Sequence, residues 1–127
     1  MSPIRMSRIE AGIRKVLEFN KAFNQHDVES ILKLLSDDCK IEHYHPAPDG
    51  TMYFDRKAIT QFLKDYFNNF LDVNMEIEEI FGFGDRCIMR WKCKWTNKDG
   101  KKEHIRGVDI FKIKENLICE QLSYVKG

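Results

Sequence analysis

No run of apolar residues in the chain approaches the length needed to span a membrane. The first ten residues, MSPIRMSRIE, lack the apolar core of an export signal. Together these absences lead us to expect a cytoplasmic protein with reduced thiols and no membrane partner. An excess of one charge is missing too. There are 21 Lys and Arg against 20 Asp and Glu, a net charge of +1. Nucleic-acid binders usually carry a clear basic surplus, so no nucleic-acid partner is expected. Cysteine pairs are absent: Cys39, Cys87, Cys93 and Cys119 form no CxxC, and each sits in a strand-like apolar context. They read as small buried hydrophobes, not as metal ligands or disulfides. No repeat or low-complexity segment interrupts the chain.

What is present suits one domain. Its 127 residues fit a single folding unit, 1–127. Hydrophobic residues make up 43%, with nine Phe, four Tyr and two Trp, enough to line a large apolar interior. Ile9, Ile13, Val16, Leu17 and Phe23 recur at helical spacing from Arg5 to about Gln25, with Asn20 placed unusually within the stripe. Asp27 caps a second helix, VESILKLLS, with Ile31, Leu32, Leu34 and Leu35 on its apolar face. CKIEHYH then reads as a strand ended by Pro46 and Pro48, with Asp49-Gly50 as a turn. Asp55 caps a third helix carrying Ile59, Phe62, Leu63, Tyr66, Phe67 and Phe70. Four strands follow: VNMEIEEI, CIMRWKCKW, EHIRGVDIFKI and ICEQLSYV. They are joined by turns at Gly82–Asp85, at Asp99-Gly100 and at ENL. Helices followed by antiparallel strands imply an α+β fold, a cone of three N-terminal helices on a curved, mostly antiparallel sheet.

The stretches FNKAFNQHDVESILKLLSDDCKIEHY, DRKAITQFL and GVDIFKIKENLICEQLSYV carry a resemblance over nearly the whole chain. Here the sequence resembles the SnoaL-like and nuclear transport factor 2-like superfamily, which includes ketosteroid isomerases and polyketide cyclases. That resemblance implies a homodimer paired through the sheet. It also implies a range of activities: isomerases, cyclases, dehydratases, epoxide hydrolases and binding modules without catalysis. Matched to the ketosteroid isomerases, the general-base aspartate falls at or near His43, with His45 of the same parity. The aspartate that donates to the forming oxyanion falls at Asp109. The catalytic tyrosine of helix one falls on Phe19.

The residues themselves point the same way. In GVDIFKI, Gly107, Asp109, Phe111 and Ile113 share a face, and a carboxyl on an apolar face needs a partner or must be neutral. Asn20 of helix one is a candidate partner. Gly107 leaves room for a close approach to the sheet. An imidazole at position 43 can take and return a proton near neutral pH. The alternating pair His43 and His45, about 6.6–6.8 Å apart along a strand, also suggests a metal. No third ligand is evident, so neither metal nor cofactor is expected. In WKCKW the aromatics and the lysines take opposite faces, so Trp91 and Trp95 wall the interior while Tyr53 and Tyr66 lie near its mouth. The expectation is a pocket for a small, apolar or carbonyl-bearing molecule, with proton transfer by His43 (or His45) and Asp109. Phe19, Asn20, Trp91, Trp95 and Tyr53 would be in contact with the ligand. The alternative is a ligand carrier or dimeric interaction module without chemistry.

Overall fold

The computed structural model describes residues 7–127. Residues 1–6 lie outside it, including Arg5, where the sequence places the start of the first helix, and part of the stretch read for an export signal.

Helix α1 spans Arg8–Asn24, and its N-cap Ser7 accepts a hydrogen bond from the Glu10 amide at 3.1 Å. Its buried face is Gly12, Val16, Phe19, Asn20 and Phe23, whereas Ile9 and Leu17 of the expected stripe are exposed. The apolar face is therefore turned by part of a turn from the one read in the sequence, and Asn20 lies within it as the stripe predicts. Helix α2, Val28–Lys33, is capped as expected by Asp27, whose Oδ1 accepts from Ser30 N at 3.1 Å. It stops before Leu34 and Leu35, which the sequence assigns to its apolar face. Leu35 instead opens strand β1 (Leu35–His43) and pairs with Ile118, and Leu34 O accepts from Ile118 N at 2.9 Å. A long-range sheet partner overrides the local helical period here.

After β1 a three-residue strand that the sequence does not announce, β2 (Thr51–Tyr53), folds back antiparallel on the end of β1. Helix α3 spans Arg56–Asn69 with Asp55 as its cap, Oδ1 accepting from Ala58 N at 2.7 Å. The remaining strands are β3 (Asn74–Phe83), β4 (Arg86–Thr96), β5 (Lys102–Lys114) and β6 (Leu117–Val125). Glu115 and Asn116 both have positive φ at the β5–β6 turn, as a tight twisted hairpin requires.

The strands form one six-stranded sheet in the order β2-β1-β6-β5-β4-β3. Strands β1 and β6 run parallel, and the other neighbours are antiparallel. The sheet curves without closing, and α1, α2 and α3 cover its concave face. The alternation of CIMRWKCKW is realised: Cys87, Met89, Trp91 and Cys93 are buried, while Arg90 and Lys94 face solvent. The order places β5 and β6, the carriers of Asp109, Gln121 and Ser123, in the middle of the sheet. Among the described residues no helix is long and apolar enough to cross a membrane.

Candidate functional site

A cavity of about 50 Å³ lies between the concave sheet and helices α1 and α3. Its deep wall is built by β4, β5 and β6. Asp109 on β5 is 2% exposed. Opposite it on β6 stands Ser123, and Gln121 pairs with Phe111 one step along. The Gln121 amide donates to Asp109 Oδ2 at 2.9 Å. The second carboxyl oxygen, Oδ1, is buried without a partner, and so is the Trp91 indole Nε1. Burial pushes the Asp109 pKa up, against the opposing pull of the Ser123 hydroxyl, the Gln121 amide and the Trp91 indole N–H. The indole is near enough to bias the carboxyl but makes no hydrogen bond of normal geometry with it. Burial thus disfavours the charged form of this carboxyl, and in its protonated form it would be a hydrogen-bond donor.

Gly107 explains how a tryptophan fits against this wall. Trp91 and Gly107 are cross-strand partners. A Cβ on residue 107 would lie 2.7 Å from Trp91 Cζ2, far inside van der Waals contact. The absent side chain lets the indole lie flat on β5, next to Asp109 on the same face.

The opposite wall is aromatic and only half-buried. His43 ends β1, with its ring 4.1 Å from that of Tyr44, 5.0 Å from Phe62 and 5.9 Å from Tyr66. Burial, and then the neighbouring His45, lower the His43 pKa to about 4, so the ring is neutral at physiological pH and free to accept a proton. The Tyr44 and Tyr66 hydroxyls are within reach of one another, and Tyr66 Oη lies 3.9 Å from Cys93 Sγ. Burial raises both phenol pKa values, that of Tyr44 to about 12, so both remain protonated donors.

The structure therefore brings His43, Asp109, Phe19 and Trp91 to one cavity. It places the other expected contacts elsewhere. His45 is exposed and lines an outer groove with Tyr53, which stacks on Phe62 at 4.5 Å. Trp95 packs edge-on against Phe70 at 5.7 Å, away from the cavity lining. Asn20 does not serve Asp109. Its Nδ2 donates to Met75 O at 3.3 Å and, together with Asn24, ties α1 to β3.

Four cavity residues escape a reading by alternation. Tyr44 does so because β1 ends at His43, so the next side chain no longer alternates outward. Tyr66 stands at the mouth as expected, and from α3 it also reaches into the cavity. Gln121 and Ser123 carry a signal that could have found them: the ENL hairpin register sets them against Phe111 and Asp109. Among the described residues no group of three or more His, Cys, Asp or Glu could hold a metal ion.

A family model for the SnoaL-like domain matches residues 16–121. The chain belongs to the SnoaL-like domain family. No curated protein matches its sequence. Among solved structures, this SnoaL-like protein is similar to an NTF2-like protein of unknown function from Mesorhizobium loti. The two are 31% identical over the whole of both chains, with a TM-score of 0.79. Two further structures share the fold. An LEH-like epoxide hydrolase of M. tuberculosis is 14% identical, covering 94% of this chain and 86% of its own, with a TM-score of 0.80. TerC, co-crystallized with polyporic acid, is 17% identical over 91% of this chain and 92% of its own, also with a TM-score of 0.80.

Proposed function

We propose that this SnoaL-like protein binds a small, mainly apolar molecule bearing a carbonyl or hydroxyl, and acts on it by proton transfer without a cofactor. Isomerisation, cyclisation and dehydration are the reactions that such a site serves. Among the described residues three buried side-chain atoms lack a protein partner, Asn20 Oδ1, Asp109 Oδ1 and Trp91 Nε1, and the observation that carries this reading is that the last two belong to residues lining one cavity. Each unpaired buried polar group costs about 1–3 kcal/mol, a cost that a ligand oxygen accepting from both would relieve.

Neutral His43 takes the proton from the substrate. Protonated Asp109 donates to the oxygen on which negative charge then develops, with the Trp91 N–H beside it. An imidazole with a pKa near 4 is a weak base, so most of the stabilisation must come from these donors at the oxygen. It also gives the proton back readily, which suits transfer to a second atom of the same substrate. Among the described residues no Lys or Arg lines the cavity, so a neutral ligand is favoured over a phosphate or carboxylate.

Hydrogen–deuterium exchange at the acidic carbon of a panel of cyclic enones, followed by NMR, tests this reading. His43→Ala is expected to slow exchange by about 10²–10⁴-fold and Asp109→Asn to slow it markedly. Unchanged exchange in both variants would eliminate the mechanism.

One observation favours the second reading, a dimeric interaction module without chemistry. A cavity of about 50 Å³ holds a few water molecules, whereas ligand pockets usually span roughly 300–1,000 Å³. A dimer in solution that neither binds nor exchanges any of these substrates would select that reading.

A further inference from the structure

Two voids meet at one partition. The inner cavity, about 50 Å³, and an outer groove, about 450 Å³, share the residues His43, Phe62 and Tyr66 and no others. All three are half-buried, whereas the rings deeper in the cavity, Phe19 and Trp91, are fully buried. Phe62 is the centre of the partition. It touches His43 at 5.0 Å and Tyr66 at 5.9 Å between ring centroids, and Tyr53 stacks on it from the groove side at 4.5 Å. No hydrogen bond can hold a phenylalanine ring in place, so contact with His43, Tyr66 and Tyr53 is what positions this one.

We propose that the Phe62 ring is the entrance to the site. The ligand, on this view, is an elongated molecule, with an apolar ring and one oxygen at Asp109 and an outer end that emerges into the groove. This inference rests on the proposed function, because it takes the inner cavity as the reacting end. The groove states what the outer end should be. Besides its aromatic rings it is lined by Thr51, Gln61, Asp65, Asn69 and His45, with a carboxylate but, among the described residues, no Lys or Arg. The Gln61 amide already donates to Asp65 Oδ1 at 2.9 Å, leaving Oδ2 to receive another donor. Such a lining accepts hydroxyl or amino groups and disfavours an anion. Asp65 is exposed, so its preference is modest and weakened by salt.

Two measurements test the proposal, both in a Trp95→Phe background so that Trp91 is the sole indole. The first is acrylamide quenching of Trp91. Phe62→Ala is expected to raise the quenching constant several-fold and Tyr53→Ala to raise it less, because Tyr53 supports the ring only from outside. Leu71→Ala, on an exposed residue lining neither void, should leave it unchanged. The Tyr53 variant also keeps the test alive should Phe62→Ala fail to fold.

The second is titration of Trp91 emission at pH 8 with 2-naphthol, 6-(2-aminoethyl)-2-naphthol and 6-(2-carboxyethyl)-2-naphthol. The amine is expected to bind about threefold or more tightly than the carboxylate, and Asp65→Asn to bring the two together. Naphthol binding that depends on Asp109 but ignores the tail, Asp65 and Phe62 overturns the entrance and leaves the proposed function standing. Naphthols that never perturb Trp91 overturn both.

Discussion

The two walls of the cavity are built on different principles. The deep wall, from β4, β5 and β6, is buried, paired in unbroken register around Asp109 with its one shift beyond Lys112, and holds the carboxyl and indole without a partner. The outer wall, from the end of β1 and from α3, is a half-buried stack of rings held mainly by contact, with the Tyr66 hydroxyl near Cys93 Sγ and His43 paired with Thr51 along the backbone. Ladder hydrogen bonds fix the first, so its polar atoms stay where chemistry needs them. The second has few constraints, so it can yield. Unpaired polar atoms on a mobile wall would find water, and an entrance through a paired sheet would break the ladder. The division of labour follows from which elements carry backbone pairing across the site.

Stability measurements should reveal the contrast most clearly. Phe111 is fully buried on β5 and packs edge-on against Phe19 at 5.6 Å. Phe111→Ala is expected to cost about 3–5 kcal/mol in urea unfolding. Phe62→Ala, on the outer wall, should cost no more than about 2 kcal/mol, because its ring is already partly in solvent. Equal losses would erase the distinction between the walls.

Gly107→Ala probes the deep wall from the other direction. The new methyl group meets both the Trp91 ring and the Tyr124 backbone carbonyl, and a backbone atom cannot swing aside. The expected cost is about 1–3 kcal/mol, with a shift in Trp91 emission as the indole is lifted. A stability loss with unchanged emission would show that the backbone, not the indole, gave way.

How much of this was legible in the sequence differs between the walls as well. The deep wall was largely readable. Strict alternation in CIMRWKCKW and GVDIFKI put Trp91 and Asp109 on inward faces, and a glycine two residues from the aspartate marked the close approach. Its hydrogen-bond partner was misread, because Asn20 is near in the helical pattern while Gln121 becomes near only through the hairpin register. The outer wall was less readable. Tyr44 turns inward because the strand ends two residues earlier than CKIEHYH suggests. The return strand Thr51–Tyr53 has no alternation long enough to recognise. Leu35 belongs to a sheet because Ile118, far along the chain, pairs with it. Caps were readable in both helices that follow an aspartate, since an N-cap needs only local chemistry.

The two walls should also respond to pH with opposite signs. His43 has a folded pKa near 4 against an ordinary value of 6.5, so the unfolded chain binds more protons between those limits. Its contribution is fully present above about pH 6.5 and is lost as the pH falls toward 4. After discounting for its partial exposure, this amounts to about 1–2 kcal/mol. Asp109 has a raised pKa, so the folded chain binds more protons and stability falls as the pH rises above the ordinary carboxylate value. The wild-type curve from pH 4 to 6.5 is therefore a partial cancellation. His43→Gln should leave a curve that falls with pH, and Asp109→Asn one that rises. Two parallel curves would mean that at least one group is not buried in the manner described.

The smallest effect concerns the residue that joins the walls. Tyr44 leaves the outer wall, yet its ring centroid is 6.5 Å from that of Trp91 and its hydroxyl is within reach of Tyr66. Tyr44→Phe keeps the ring and deletes the hydroxyl. Removing one partner of a solitary buried hydrogen bond leaves the other unsatisfied, at about 1–3 kcal/mol. Here the Tyr66 hydroxyl keeps Cys93 Sγ as a neighbour at 3.9 Å, and a thiol is a weak but available partner. The expected loss is therefore below about 1 kcal/mol. Enone exchange should fall more than stability does if the Tyr44 hydroxyl also donates into the cavity. A stability loss with no change in exchange would place this phenol among the rings of the outer wall, and leave Asp109 and Trp91 as the donors that matter.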